Sequence, residues 1–151
     1  MNDRRRLNVV NVTMLLADSA QVADGKLFIL GGGWSITGPD PAPQSVALKF
    51  QVDSHEFNAT HHWEIFLTDA DGRPVMVPTE EGDQPVEVRG EFRVGDPTDV
   101  PPGTPVDIPI AVNFGPIPLS PSSRYSWRVS VDGDYLPGGT VSFSTRPARE
   151  S

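Results

Sequence analysis

Histidine and carboxylate side chains, which bind metal ions, are concentrated between residues 53 and 64. The set consists of Asp53, His55, Glu56, His61, His62 and Glu64. Imidazole and carboxylate groups are common ligands of zinc and related ions. On a strand, however, His61 and His62 point to opposite faces and cannot share one ion without a bulge. We therefore expect neither a metal ion nor another cofactor.

The other residues with catalytic potential do not form a reaction-specific pattern. Asp69 with Asp71, and Asp132 with Asp134, resemble fragments of a calcium loop, but neither pair continues into the spacing of an EF-hand. The chain has no Gly-x-Ser-x-Gly elbow. A carboxylate pair for glycoside hydrolysis stays open, because a sequence does not show the separation of two acids in space. We expect a protein that is not an enzyme.

Aromatic and basic residues supply the candidates for contact with a ligand or partner. Trp63 and Trp127 fall in apolar rows, which favours the core, whereas Trp34 and Tyr135 do not and are candidates for exposed anchors. Tryptophan, tyrosine and arginine are frequent in binding hot spots. The predicted partner contacts are Trp34, Tyr135, Arg124, Arg128, Arg4, Arg5 and Arg6.

Charge is distributed unevenly along this 151-residue chain of net charge −8. Five of the 12 basic residues lie in the two terminal segments, whereas 18 of the 20 acidic residues lie between residues 7 and 145. An acidic surface repels phosphate, so we expect no binding of nucleic acid. The basic arm at residues 1–6 either docks on an acidic face of a neighbour or is a solvated tail.

Apolar residues recur at every second position through most of the chain, as in Val46 to Val52 and Val106 to Phe114. This period is typical of strands, and no segment shows the helical period. The 16 prolines and 14 glycines concentrate between the apolar runs, and there is no cysteine for a disulfide. The pattern predicts an all-β, Ig-like or fibronectin-III-like antiparallel β-sandwich of about eight or nine strands. One domain spans residues 7–145, between the arm at 1–6 and a tail at 146–151.

A proline corner precedes one of the most regular strands. Pro121 is followed by Tyr125, after which apolar residues alternate up to Val131. In Ig-like sandwiches a tyrosine at such a corner hydrogen-bonds to backbone through its hydroxyl. We predict that Pro121 and Tyr125 form a corner of this kind.

The first apolar run, residues 7–16, is apolar on both faces. Such a run is typical of a central strand covered on both sides, or of a strand whose outer face meets another subunit. Polar residues interrupt it, so it is a poor signal peptide or membrane span. We expect a cytoplasmic protein with no membrane contact, or a virion component if a phage encodes it.

The segment Ala17 to Trp34 reads ADSAQVADGKLFILGGGW. It resembles a family of small uncharacterised bacterial and phage β-sandwich proteins with an ADxAQVxDGKLxILGGGW-like N-terminal motif. The resemblance implies a fold and no activity. Within it, Gly31, Gly32 and Gly33 favour a bend or bulge over a phosphate loop, because no helix or lysine partner follows.

These observations together predict a non-enzymatic binding or assembly module, and more specifically a decoration-type accessory subunit of a phage virion or other large particle. Its partner is expected to be another protein or a second copy, held by an apolar patch and the basic arm. The alternative is a small-ligand or carbohydrate-binding domain with exposed aromatic residues. The third hypothesis is an enzyme that uses carboxylate or histidine chemistry.

Overall fold

The computed structural model describes residues 9–53, 59–95 and 100–150, and in these the chain is all-β. This confirms the predicted class. The described residues form twelve strands rather than eight or nine, because β4, β7 and β8 lack the apolar alternation on which the prediction rests. The strands are β1 (Val9–Ala17), β2 (Ser19–Ala23), β3 (Lys26–Leu30), β4 (Ile36–Thr37), β5 (Gln44–Val52), β6 (Thr60–Asp69), β7 (Met76–Thr79), β8 (Gly82–Pro85), β9 (Glu87–Arg93), β10 (Val106–Phe114), β11 (Arg124–Val131) and β12 (Asp134–Thr145).

Two main sheets and two hairpins account for these strands. The three-stranded sheet has the order β1-β5-β10, and the five-stranded sheet has the order β4-β12-β11-β6-β9. The hairpins are β2–β3 and β7–β8. All pairs are antiparallel, as predicted for the main strands, except the two-residue β4, which runs parallel to β12 at the edge of its sheet. No helix long and apolar enough to cross a membrane occurs in the described part of the chain.

The core lies where side chains from both main sheets meet. Phe50 of β5 stacks on Phe92 of β9 with ring centroids 5.3 Å apart, and Phe114 of β10 stacks on Trp127 of β11 at 4.5 Å. The buried Trp127 indole donates a hydrogen bond to the side-chain oxygen of Gln44 at 2.8 Å. Trp127 therefore fills the core, as its position in an apolar row predicts.

The segment that is covered on both faces belongs to β5, from Gln44 to Leu48, and not to β1. Val46 and Leu48 of β5 face the core, and the alternate residues Ser45 and Ala47 are equally buried on the other side. By contrast, β1 is an edge strand in which Thr13 is exposed. The interpretation of residues 7–16 as a central strand is wrong, because strand order depends on long-range pairing that a local pattern does not contain.

The predicted corner surrounds Tyr125. Its hydroxyl accepts a hydrogen bond from the Ser120 amide at 2.9 Å, and its ring stacks on Phe143 with centroids 5.7 Å apart. Between Ser120 and Tyr125 the chain turns after Pro121, and Ser122 has a left-handed backbone conformation with φ 50°. The tyrosine thus makes the backbone contact that the corner requires, which ties the segment before β11 to the core.

We expect Tyr125→Phe to lower the free energy of unfolding by about 1–2 kcal/mol, because the partly buried Ser120 amide loses its acceptor. In a domain of this size that loss corresponds to a fall of roughly 2–8 °C in melting temperature by thermal denaturation. Tyr135→Phe removes a hydroxyl from an exposed ring and is the matched control. Equal melting temperatures for the two variants would contradict a stabilising corner.

Candidate functional site

The β2–β3 hairpin, residues 19–30, carries the main concentration of exposed apolar side chains in the described chain. Four of the eight large hydrophobic residues that are exposed belong to it: Val22, Phe28, Ile29 and Leu30. Phe28 is 51% exposed and Leu30 is 71% exposed. Single exposed apolar side chains are common, but a concentration of them marks an interaction site, so this apolar hairpin is the principal candidate site.

Local sequence forms the apolar hairpin. Asp24 and Gly25 have φ values of 53° and 70°, which are those of the two-residue turn that matches the twist of paired strands. Ala20 lies opposite Ile29, and Gln21 lies opposite Phe28. Residues directly opposite share a face of the hairpin.

One face of the apolar hairpin packs on the protein, and the other faces solvent. β2 lies against β5 and β10 at the end of the three-stranded sheet where Ser45 and Ala47 are buried. Ala20 is buried on this side. Phe28 and Leu30 alternate with the packed residues and lie on the solvent face. The hairpin is thus a short third layer whose outer side has nothing over it in the described chain.

Asn113 of β10 fixes the apolar hairpin to the body of the protein. Its side-chain nitrogen donates to the Ala20 carbonyl at 2.8 Å, and its side-chain oxygen accepts from the Ala20 amide at 3.2 Å. One amide side chain therefore satisfies both backbone groups of Ala20, as a neighbouring strand does. The outer edge of β2 is closed at this residue.

The three glycines after β3 form the predicted bend. Gly31 and Gly33 have φ values of 61° and 89°, which only glycine adopts readily. A side chain at Gly31 would overlap the Asp18 carboxylate. The Asp18 amide donates to the carbonyls of Leu30 and Gly31 at 3.0 and 3.1 Å, so the bend returns the chain against the end of β1.

A second surface lies on the outer face of the five-stranded sheet, around Tyr135. This ring is 58% exposed; the Arg128 guanidinium carbon lies 4.5 Å from its centroid, and Phe66 contacts it edge-on at 6.0 Å. Cation–π contact holds Arg128 in place over the ring. Two predicted contact residues, Arg128 and Tyr135, are therefore neighbours.

An open cleft of about 350 Å³ lies on the same outer face. Its polar lining residues are His62, Glu64, Arg89 and Ser130. Arg89 bridges two acids, with Nε 2.7 Å from Glu64 and a terminal nitrogen 3.1 Å from Glu87. The cleft is therefore lined by charged side chains and a hydroxyl group, and its arginine already forms ion pairs within the protein.

The histidines diverge as expected. His61 is buried with Nδ1 2.7 Å from the Asp132 carboxylate, whereas His62 is exposed on the other face. The second Asp132 oxygen accepts the His62 amide at 2.9 Å, so this one acid holds both histidines. Within residues 9–53, 59–95 and 100–150, no three acidic or histidine side chains could hold a metal ion together. His55 and Glu56 lie outside the described residues.

The remaining predicted contacts are scattered. Trp34, a candidate for an exposed anchor, is partly buried, meets Phe143 edge-on at 5.6 Å and flanks the core; its contact with a partner stays a prediction. Arg124 is exposed near the corner, where it donates to the Ser144 hydroxyl at 3.3 Å. Arg149 of the tail pairs with Asp40 of the same chain at 3.0 Å. Arg4, Arg5 and Arg6 lie outside the described residues.

Sequence reasoning missed the apolar hairpin as a contact surface. The available signal was the run of four successive apolar residues from Leu27 to Leu30, beside a turn and a glycine bend. A short strand with one face in solvent normally has a polar residue at every second position, and this run contains no polar residue. The contact between Asn113 and Ala20 joins residues 93 positions apart and gives no local signal.

Comparison with known proteins places this architecture in a family. A family model matches residues 12–138, which include the apolar hairpin and most of both main sheets. The chain belongs to the DUF6941 family. DUF6941 is described as a family of unknown function, so membership assigns no activity to either surface. No curated protein and no solved structure matches the chain.

In this DUF6941 member, we expect Asn113→Ala to loosen the apolar hairpin, because both backbone groups of Ala20 lose their partner. The Ala20 amide should exchange its hydrogen at least about tenfold faster, which corresponds to roughly 1.4 kcal/mol of lost local protection. Exchange measured by NMR at Ala20 and at a core amide such as Val129 separates local from global loosening. Asn113→Asp keeps an acceptor and loses the donor, and should give an intermediate rate.

Proposed function

We propose that the protein is a non-enzymatic binding and assembly module whose contact surface is the solvent face of the apolar hairpin. The observation that carries the proposal is the exposure of Phe28 and Leu30 side by side on a hairpin that Asn113 holds in place. Complete burial of a side chain of this size contributes roughly 1.5–3 kcal/mol. A fixed surface loses little conformational entropy on binding, so more of this energy becomes affinity.

The more specific form of the proposal is a decoration-type accessory subunit of a phage virion or another large particle, built on an Ig-like or fibronectin-III-like sandwich. Two face-to-face sheets and the tyrosine corner support the sandwich. The acidic body and basic N-terminal arm give a particle subunit opposite charges for contact with its neighbours. The arm then adds an electrostatic contact to the apolar contact of the hairpin.

Photo-cross-linking tests the contact surface in the cells that naturally produce the protein. Benzoylphenylalanine in place of Phe28 keeps an aromatic group on the hairpin and reacts with whatever covers it. We expect irradiation to give adducts that contain a second protein chain, identified by mass spectrometry. The matched control places the same group at Met76, which is about equally exposed but lies on β7.

If position 28 gives no more protein adduct than position 76, the apolar hairpin is not the contact surface and the proposal fails. The adduct's mass and peptides also show whether the partner is the same chain or a different one. The identity of the partner is thus a separate result from the adduct yield, which tests whether the hairpin is a contact surface.

Tyr135 favours a second candidate function, a small-ligand or carbohydrate-binding domain. Its exposed ring, with Arg128 beside it, lies on the same sheet face as the cleft lined by Glu64 and Arg89. Aromatic rings with adjacent polar groups are a common way to hold small polar ligands.

On this second hypothesis, glycan-array screening should give a hit whose signal falls at least about tenfold in Tyr135→Ala, because a stacking contact of 1.4 kcal/mol or more is lost. Tyr135→Phe keeps the ring and should retain most of the signal. An array without hits, or equal binding by Tyr135→Ala, counts against a carbohydrate ligand.

A further inference from the structure

We propose that β3 of the apolar hairpin pairs with β3 of a second copy of the chain, antiparallel across a two-fold axis. The result is a four-stranded sheet in the order β2-β3-β3-β2 that joins two molecules. The inference rests on the proposed function, since it uses the same surface, and it goes further by naming the partner as a second copy and fixing the register.

The backbone of β3 has one unoccupied edge. Ala20 directs its amide and carbonyl away from β3 to Asn113, so Ala20 and its opposite residue Ile29 are a pair without mutual hydrogen bonds. By the alternation of antiparallel ladders, Leu27 and Ile29 then direct their amides and carbonyls to the far side of β3. No other described strand is hydrogen-bonded to β3 on that side.

These four free groups select one register. When Phe28 lies on the two-fold axis, Leu27 of each copy is opposite Ile29 of the other. Each such pair exchanges two hydrogen bonds, so all four donors and acceptors of each edge are satisfied. Centring on Ile29 instead would place Leu27 opposite Gly31, whose carbonyl already accepts the Asp18 amide.

Charge complementarity supports the same register and a second copy as the occupant. Lys26 comes to lie opposite Leu30 of the other copy. Asp18 lies on the β2 side of that Leu30, whose carbonyl accepts the Asp18 amide at 3.0 Å, and the long lysine side chain can span the one strand between them. Neither Lys26 nor the Asp18 carboxylate forms an ion pair with another described residue of its own chain. Two-fold symmetry produces this contact twice and brings opposite charges together in a chain of net charge −8.

The side chains of the joined edge also match. Phe28 meets its own copy on the solvent face, and Leu30 flanks it on each side, so the most exposed apolar residues of the hairpin are covered together. Asn113 occupies the outer edge of each β2 at Ala20. Growth beyond two copies is thereby blocked, because an edge that is already occupied does not accept another strand.

Cysteine trapping tests this register, since the chain has no cysteine of its own. Directly opposite residues in a pair without mutual hydrogen bonds have Cβ atoms about 4.5–5.5 Å apart, close to the span of a disulfide. We expect Phe28→Cys to form a covalent dimer under mild oxidation. Lys26→Cys alone should not, whereas a mixture of Lys26→Cys with a tagged Leu30→Cys should give the mixed dimer. Met76→Cys is the matched exposed control.

Charge reversal supplies a second readout that does not depend on oxidation. Lys26→Glu should weaken dimerisation measured by sedimentation equilibrium roughly tenfold, because two attractive contacts become repulsive. Adding Asp18→Lys to this variant should restore dimerisation, which a general loss of folding would not allow.

The proposal is overturned if the unmodified protein stays monomeric up to millimolar concentration and Phe28→Cys cross-links no better than Met76→Cys. It is also overturned if Phe28→Cys dimerises but Lys26→Cys and Leu30→Cys do not combine, because the register is then different. In either case a Phe28 photo-adduct with a different protein in cells would leave the proposed function standing. Absence of any adduct at position 28 removes both.

Discussion

The arrangement of the whole protein depends on the first half of β5, Gln44 to Leu48, which is buried on both faces. One side of this strand contributes Val46 and Leu48 to the core between the main sheets, and the other side presents the small residues Ser45 and Ala47 to the apolar hairpin. Small side chains allow a backbone to approach closely, and Asn113 on the neighbouring strand then supplies the hydrogen bonds that this approach makes necessary. The hairpin is held in place because it covers the second face of β5, a central strand.

This constraint divides the surface into two chemically different regions. On the outer face of the five-stranded sheet, β9 carries alternating acids and bases, and Arg89 satisfies two carboxylates there without a partner molecule. The exposed side chains of the apolar hairpin cannot be satisfied by ion pairs within the chain, because aliphatic and aromatic groups are stabilised only by removal from water. A polar surface can remain solvated at little cost, whereas the hairpin gains most from contact. The two regions therefore suit different partners, although the family to which the chain belongs has no assigned function.

The sequence predicts those features whose cause lies within a few residues. The corner at Pro121 is predictable because the Tyr125 hydroxyl accepts its hydrogen bond from an amide only five positions away. Trp127 is predictable as a core residue because apolar residues alternate regularly along its strand. Strand order is different, since the edge position of β1 follows from pairing with residues about thirty to forty positions away. The hydrogen bonds between Asn113 and Ala20, which hold the apolar hairpin, join residues still farther apart in the sequence. Composition and motif spacing predict the fold class and the shortage of catalytic patterns, but the choice of contact surface needs the packed molecule.

The clamp formed by Asp132 has a consequence for motion. One carboxylate holds the buried His61 ring and the His62 backbone, while the Asp132 amide donates to the His62 carbonyl at 2.7 Å. The turn between β11 and β12 is thus connected to the start of β6 by side chain and backbone together. Separation of this end of the sheet requires all three bonds to break and a buried imidazole to enter water at once. The last hairpin and the beginning of β6 should therefore open as one cooperative unit, and fraying cannot proceed strand by strand from this end.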